Sequence, residues 1–304
     1  ERSRGLGDVY KRQEYKGLPT RLPTPSREEY SVTDLEILAR CPFRFWAEKI
    51  LRVDPLESLE FDCGIDSTAW GTLVHRFLEK LLRPVIGRSI TGAAGDARVA
   101  SPERIRSLIT YSLNEKLPGW RLMPEFKQAD LRRRLESLAE AVLNEETGGD
   151  GSTVVTRLEY RVARPFPSLS GARLKGVIDR IDRARDEVRI VDYKSGRSPS
   201  SKAELKREVH ALFRLQPLLY PWLVDDREEM SPARFQFLFL GEDPPKRSTV
   251  DSDHDPETVL EVLGAVVQGG EYPPTSNEDY SRADLSRLQP CRWCRMAALC
   301  RRND

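Results

Sequence analysis

The sequence predicts an α/β protein: a mixed central sheet flanked by helices on both faces, with a helical insertion at about 85–148 and a cysteine-bearing tail. Three observations predict it. The hydrophobic period is helical through the front half, becomes two over about 153–193, and turns helical again over about 201–225. A further strand at 233–240 follows that helical stretch, and this element order suits a layered α/β core. A composition 39% hydrophobic and 32% charged supports a sizeable core under a charged exterior.

The 304 residues allow one large domain or two modest ones. The chain begins with Glu1 and reads as a mature fragment, a trimmed form or a piece of a longer gene product. Residues 1–25 are polar and aperiodic and are expected to be disordered or non-native, leaving 26–304 as one domain. No run approaches 18 apolar residues and no apolar stretch follows a basic start, so neither a membrane span nor a secretion signal is expected, and a cytoplasmic setting is. The net charge of +1 does not itself point to nucleic acid, although a local basic groove depends on placement rather than on the sum. Five cysteines, three of them in the last fourteen residues, are too few and too uneven for a disulfide framework and read as metal binding.

In order, Ser31 to Leu51 reads as a helix, opened by a capping box of Ser31 with Asp34 and broken or restarted at Cys41-Pro42. Leu73, Val74, Phe77, Leu78 and Leu81 place a helix over 70–82. Residues 86–100, rich in Gly, Ala and Ser, read as a loop, followed by helices at about 102–116 and 125–146. Strands are expected at 153–163, 172–183 and 187–193, the last two joined by a turn near Arg185-Asp186. After the helical region and the strand at 233–240 comes a helix at 256–268 and then the cysteine tail.

The most informative stretch is Gly176 to Gly196. Val188, Ile190, Asp192 and Lys194 share a strand face, so an apolar run ends in a carboxylate and an ammonium. In the preceding strand Val177, Asp179 and Ile181 share a face. A carboxylate among apolar neighbours is costly unless paired or bound to a metal. Antiparallel pairing brings Asp179 towards Asp192, and a divalent cation resolves the repulsion between them. The plainer reading is an ordinary hairpin with surface charges and one ion pair.

Asp179 followed by Asp192-Tyr193-Lys194 resembles the core of the PD-(D/E)XK nuclease superfamily. The resemblance implies a restriction-endonuclease-like fold, Mg²⁺ or Mn²⁺ held by the two acids and the backbone carbonyl of Tyr193, and a water assisted by Lys194. Gly71-x-x-x-His75 resembles the G-x-x-x-H element of the RecB-like branch, which implies His75 as a nitrogen ligand and a close backbone approach over Gly71. A helix-surface or satisfied core histidine is the alternative. Gln216-x-x-x-Tyr220 resembles the Q-x-x-x-Y element of the same branch, with both side chains supporting substrate contact and ordering the lysine. Pro217 requires either that Gln216 cap a fresh helix or that the helix kink.

Cys41 with Cys291, Cys294 and Cys300 can ligate a 4Fe-4S cluster or a Zn²⁺ ion. One cysteine near the start and three at the end resembles the AddB-type iron–sulfur nucleases, in which the cluster clips the tail to the front helix. Cys63 is expected to be a free thiol. Arg292 and Arg295 are either solvated charges or a phosphate-binding rim. The resemblance, over about Tyr30 to Arg302, implies a bacterial Mg²⁺-dependent exonuclease acting on single-stranded DNA in break repair, as the C-terminal part of a helicase–nuclease subunit. No phosphate loop of the helicase kind occurs in the chain. The alternatives are a catalytically silent DNA-binding module of such a complex and a zinc-stabilised interaction protein.

Overall fold

Alternating apolar and β-branched residues build a mixed six-stranded sheet in the computed structural model of the chain. The structure describes residues 27–54, 65–92, 95–147, 152–169, 171–185, 187–225, 233–275, 291, 294 and 296–300. The strands are β1 (Glu29–Ser31), β2 (Thr153–Pro165), β3 (Arg173–Ala184), β4 (Glu187–Lys194), β5 (Ala233–Phe239) and β6 (Lys246–Thr249). The helices are α1 (Val32–Arg40), α2 (Pro42–Phe45), α3 (Ser67–Leu82), α4 (Ala97–Ala100), α5 (Pro102–Lys116), α6 (Glu125–Thr147), α7 (Lys202–His210), α8 (Gln216–Val224), α9 (Pro256–Gly269) and α10 (Ala297–Cys300).

Two apolar cores lie on the two faces. α1, α7, α8 and α9 pack with Leu174, Ile178, Ile190, Phe235 and Phe237. α3, α5 and α6 pack with Val155, Val191, Tyr193 and Leu238. The helices expected as an insertion are thus one whole layer of the molecule. Short β1 and β6, which carry too few residues to show a period, were not anticipated, and α4 lies inside the expected loop at 86–100.

The first expected helix divides where its sequence demands. Ser31 and Asp34 form both halves of the capping box, Ser31 Oγ accepting from the Asp34 amide at 3.0 Å. Cys41 is extended, Pro42 opens α2, and a π-helical turn covers Trp46–Ile50.

One feature of the sheet creates the site. β2 lies antiparallel along β3 from Arg173 to Ala184. β1 pairs with Arg173–Lys175 in parallel, and β4 pairs with Arg180–Ala184 in antiparallel fashion. A strand has only two edges, so β1 and β4 share the one that β2 leaves open. Between them, among the described residues, Gly176 to Asp179 has no strand neighbour on that side, and the sheet is forked. A cleft of about 400 Å³ opens there, bounded by Ser31 to Thr33 on one bank and by Asp192 to Ser195 on the other.

The alternation expected around Asp179 is broken. Ile178 and Ile181, three positions apart, both join the same core, while Arg180 and Asp182 turn to the other face. Val177 is 38% exposed and gives no apolar flank to Asp179. The strand changes face at Asp179, opposite Glu159 of β2, whose φ is +47°. The left-handed region costs a non-glycine residue on the order of 1–3 kcal/mol and is held only by its surroundings.

Candidate metal centre

The β3–β4 ladder stops at Arg180↔Val191. One step further, the amide of Tyr193 donates to Asp179 Oδ2 at 2.7 Å, so a side chain takes the place of a backbone partner. This fixes Asp179, 7% exposed, beside Asp192, 3% exposed. His75 reaches the same point from α3: Nδ1 lies 3.0 Å from Asp179 Oδ1, and Nε2 donates to the carbonyl of Tyr193 at 3.1 Å. Asp66 caps α3 by accepting from Thr68 and Ala69, and Leu73, Val74, Phe77 and Leu78 bury the face beside His75. Lys194 Nζ lies 2.6 Å from Asp192 Oδ2 and donates to Gln216 Oε1 at 2.7 Å, while Gln216 Nε2 donates to Asp192 Oδ1 at 3.0 Å. The structure therefore brings His75, Asp179, Asp192, Tyr193, Lys194 and Gln216 to one end of the fork.

Glu159 joins them, and sequence reasoning missed it. One ligand atom each from His75, Glu159 and Asp179 lies within 4.8 Å of the others. In the sequence Glu159 is one more charge in an alternating strand, and nothing short of the register to β3 distinguishes it from a solvated residue.

The electrostatics of the site are those of too much negative charge in too little water. Burial opposes a charged His75, but the hydrogen bond and charge of Asp179, with Asp192 and Glu159 behind, raise it to about 9. Burial, with the Asp179 charge next, pushes Glu159 up to about 7. Burial pushes Asp192 up to about 6, against the pull of Lys194 and with the help of Asp179. Asp192 Oδ2 is buried, and the Lys194 ammonium lies 2.6 Å from it. Carboxylate oxygens, a backbone carbonyl and one imidazole form a donor set suited to Mg²⁺ or Mn²⁺, and a cation supplies what these groups lack.

Tyr220 lies against β3, and Gly176 is why it can. A Cβ on Gly176 would stand 2.9 Å from Tyr220 Cε1 and 3.2 Å from Leu223 Cδ1. Gln216 is the first residue of α8, with Leu215 as N-cap and Pro217 within the first turn, so the proline is accommodated without a kink at that point. The expected close backbone approach over Gly71 is corrected. The nearest group is the Ser195 hydroxyl, 3.6 Å from a Cβ placed there, which is ordinary contact, because the strand end presents a side chain and not its backbone.

Cys41, Cys291, Cys294 and Cys300 are half-buried and not disulfide-bonded. Cys294 N donates to Cys291 O at 3.2 Å and Ala297 N to Cys294 O at 3.0 Å. Pro273 O accepts from Phe43 N at 3.3 Å, which lays the segment leading to the tail beside the start of α2. Cys63, Arg292 and Arg295 lie outside the described residues. Among the described residues no helix is long and apolar enough to cross a membrane.

The family model described as the PD-(D/E)XK nuclease superfamily matches residues 29–301. The chain belongs to this superfamily. Membership makes it a nuclease domain with a DNA-binding role, and nucleases of this superfamily use divalent metals. The mixed sheet flanked by helices is the restriction-endonuclease-like fold of the superfamily. The curated proteins contain no match to this PD-(D/E)XK chain. Among solved structures, one titled "Crystal structure of SSO0001" is similar at 15% identity with a TM-score of 0.37, covering 91% of this chain and 87% of that chain.

Proposed function

We propose that this PD-(D/E)XK domain, residues 26–304, hydrolyses phosphodiester bonds of single-stranded DNA from an end, using Mg²⁺ or Mn²⁺. We read it as the C-terminal part of a bacterial helicase–nuclease subunit acting in double-strand-break repair. The observation that carries the hydrolytic reading is the convergence of His75, Asp179, Asp192 and the Tyr193 carbonyl beside Lys194 in one cleft. In this reading His75, Asp179, Asp192 and the Tyr193 carbonyl would hold the cation, with the Glu159 carboxylate near His75 and Asp179. When bound, the cation polarises the phosphate and lowers the pKa of a water. Lys194 stands where its ammonium can orient that water and meet charge developing on the phosphate. Gln216 holds both ends of the Asp192–Lys194 pair, and Tyr220 closes the floor of the cleft.

The finer placement among AddB-type enzymes rests on the spacing of the cysteines: Cys41 follows α1, and Cys291, Cys294 and Cys300 lie at the tail. We assign them to a 4Fe-4S cluster that ties the tail to α1, with Zn²⁺ as the competing occupant, and Arg292 and Arg295 to a phosphate rim beside it.

The test is anaerobic purification followed by Mg²⁺- and Mn²⁺-dependent digestion of end-labelled single- and double-stranded DNA. The expected result is stepwise shortening of single strands, abolished in Asp192→Asn with DNA binding retained. DNA binding without hydrolysis in the parent protein would make it a silent scaffolding module. A brown protein containing iron is expected, and a colourless one with stoichiometric zinc would replace the cluster.

A further inference from the structure

α8 begins without a cap of its own. Its N-cap is Leu215, whose side chain cannot accept a hydrogen bond. The first amides of a helix have no partner within it, and a buried start left unsatisfied is costly. Here the partner comes from far upstream. Glu36 of α1, 7% exposed, accepts at Oε1 from Leu215 N at 2.9 Å and from Gln216 N at 3.4 Å. The same helix grips the approach to α8 a second time, since Arg40 Nε donates to Phe213 O at 2.9 Å and its guanidinium lies 4.3 Å from the centre of the Phe213 ring. Arg40 Nη2 also reaches Glu36 Oε2 at 3.5 Å, so the carboxylate is aimed by a neighbour one turn on.

Gln216, the residue so held, spans Asp192 and Lys194 with its amide nitrogen and oxygen. We infer that Glu36 is a positioning residue for the Asp192–Lys194 pair, acting through the start of α8 and the amide of Gln216. This rests on the hydrolytic reading of the site for its effect on rate, but not for its geometry. A carboxylate at a helix start satisfies the amides and the positive end of the helix together, which a neutral cap does less well. Without it the first turn of α8 frays, Gln216 loses its fixed place, and the ammonium of Lys194 is free to leave the line to the phosphate.

Four proteins test this: Glu36→Ala, Glu36→Gln, Gln216→Ala, and the double variant Glu36→Ala with Gln216→Ala. Two quantities are read, hydrogen exchange over residues 213–220 and steady-state hydrolysis of single-stranded DNA with Mg²⁺. Glu36→Ala should raise exchange at Leu215 and Gln216 about tenfold while α7 is unchanged. It should lower kcat by between about tenfold and a hundredfold with KM little changed. Glu36→Gln, which keeps an acceptor at the same reach, should recover most of both. The double variant should be no more than about twofold slower than Gln216→Ala alone, because both changes cut one connection. Losses that multiply in the double variant, or unchanged exchange at Leu215 and Gln216, would overturn the proposal. Should Glu36→Ala fail to fold, Glu36→Asp, whose carboxylate stops one methylene short, carries the same comparison. The exchange measurement decides the connection even if the parent cuts no DNA. A local rise then supports the hold on Gln216 while the hydrolytic reading alone fails.

Discussion

Lys194 keeps its ammonium against Asp192 Oδ2 and Gln216 Oε1, with the Phe237 ring centre 5.3 Å away, so it is a fixed charge and not a searching one. Replacing one such preorganised donor costs about 10²–10³-fold in kcat. Lys194→Ala should show that loss while still taking up metal, as read by Mn²⁺ titration, and a loss below tenfold would deny it a part in the reaction. Glu159 makes the opposite case. Its φ of +47° strains the backbone in order to aim a carboxylate at His75 and Asp179. Glu159→Gly relieves the strain and removes the carboxylate, so metal-free stability should rise by about 1 kcal/mol while metal affinity falls at least about tenfold. Urea melts and calorimetric titration measure the two, and a fall in both would contradict the strained-ligand account. At this scale His75, 104 positions before Asp179, was legible only through the G-x-x-x-H resemblance. Asp179, Asp192 and Lys194 could be read because they sit on adjacent strands with a short turn between them. Glu159 and Glu36 could not, because their meaning lies entirely in partners on other elements.

At the scale of elements, α8 must lie nearly on the backbone of β3, and Gly176 is the point of contact. Gly176→Ala places a methyl against Tyr220 and Leu223 and should destabilise by about 1–3 kcal/mol. A denaturant midpoint checks it, and Tyr220→Ala in the same background should recover part of the loss by vacating the space. The helices α1, α3, α5, α6 and α9 were legible because each shows a period or a capping residue. The break at Cys41 was legible from Pro42, whose ring cannot continue the helix. What could not be read was the face change at Asp179, since strict alternation is the assumption by which strand faces are assigned at all. β1 was hidden for a related reason, three residues being too short to carry a pattern.

At the scale of the molecule, a buried charge network ties α6 to β3 and β6 on one face of the sheet. Arg180, fully buried, donates to Asp182 at 2.6 Å and to Glu146 of α6 at 2.7 Å, and Glu146 also accepts from Arg247 of β6 at 2.8 Å. Arg180→Met leaves two buried carboxylates short of a partner and should cost about 3–5 kcal/mol in urea unfolding. A cost near zero would show the network to be dispensable. The protons of the centre set a second whole-molecule property. His75 is raised from 6.5 to about 9, Glu159 from 4.5 to about 7 and Asp192 from 3.8 to about 6. A raised group stabilises fully below its unfolded value, and that contribution is lost as pH rises through the folded one. Metal-free protein therefore loses stability between about pH 4 and about pH 9, and a cation that displaces the protons restores it. The Tm increment from saturating Mg²⁺ should be larger at about pH 8.5 than at about pH 5.5, and equal increments in differential scanning fluorimetry would refute the protonated centre. The forked sheet carries one more consequence. Its banks are β1, near the front, and β4, more than half the chain later. A ribosome that has released only the first three strands has made half a blade. Until β4 has been made, no partial product owns both edges of the cut.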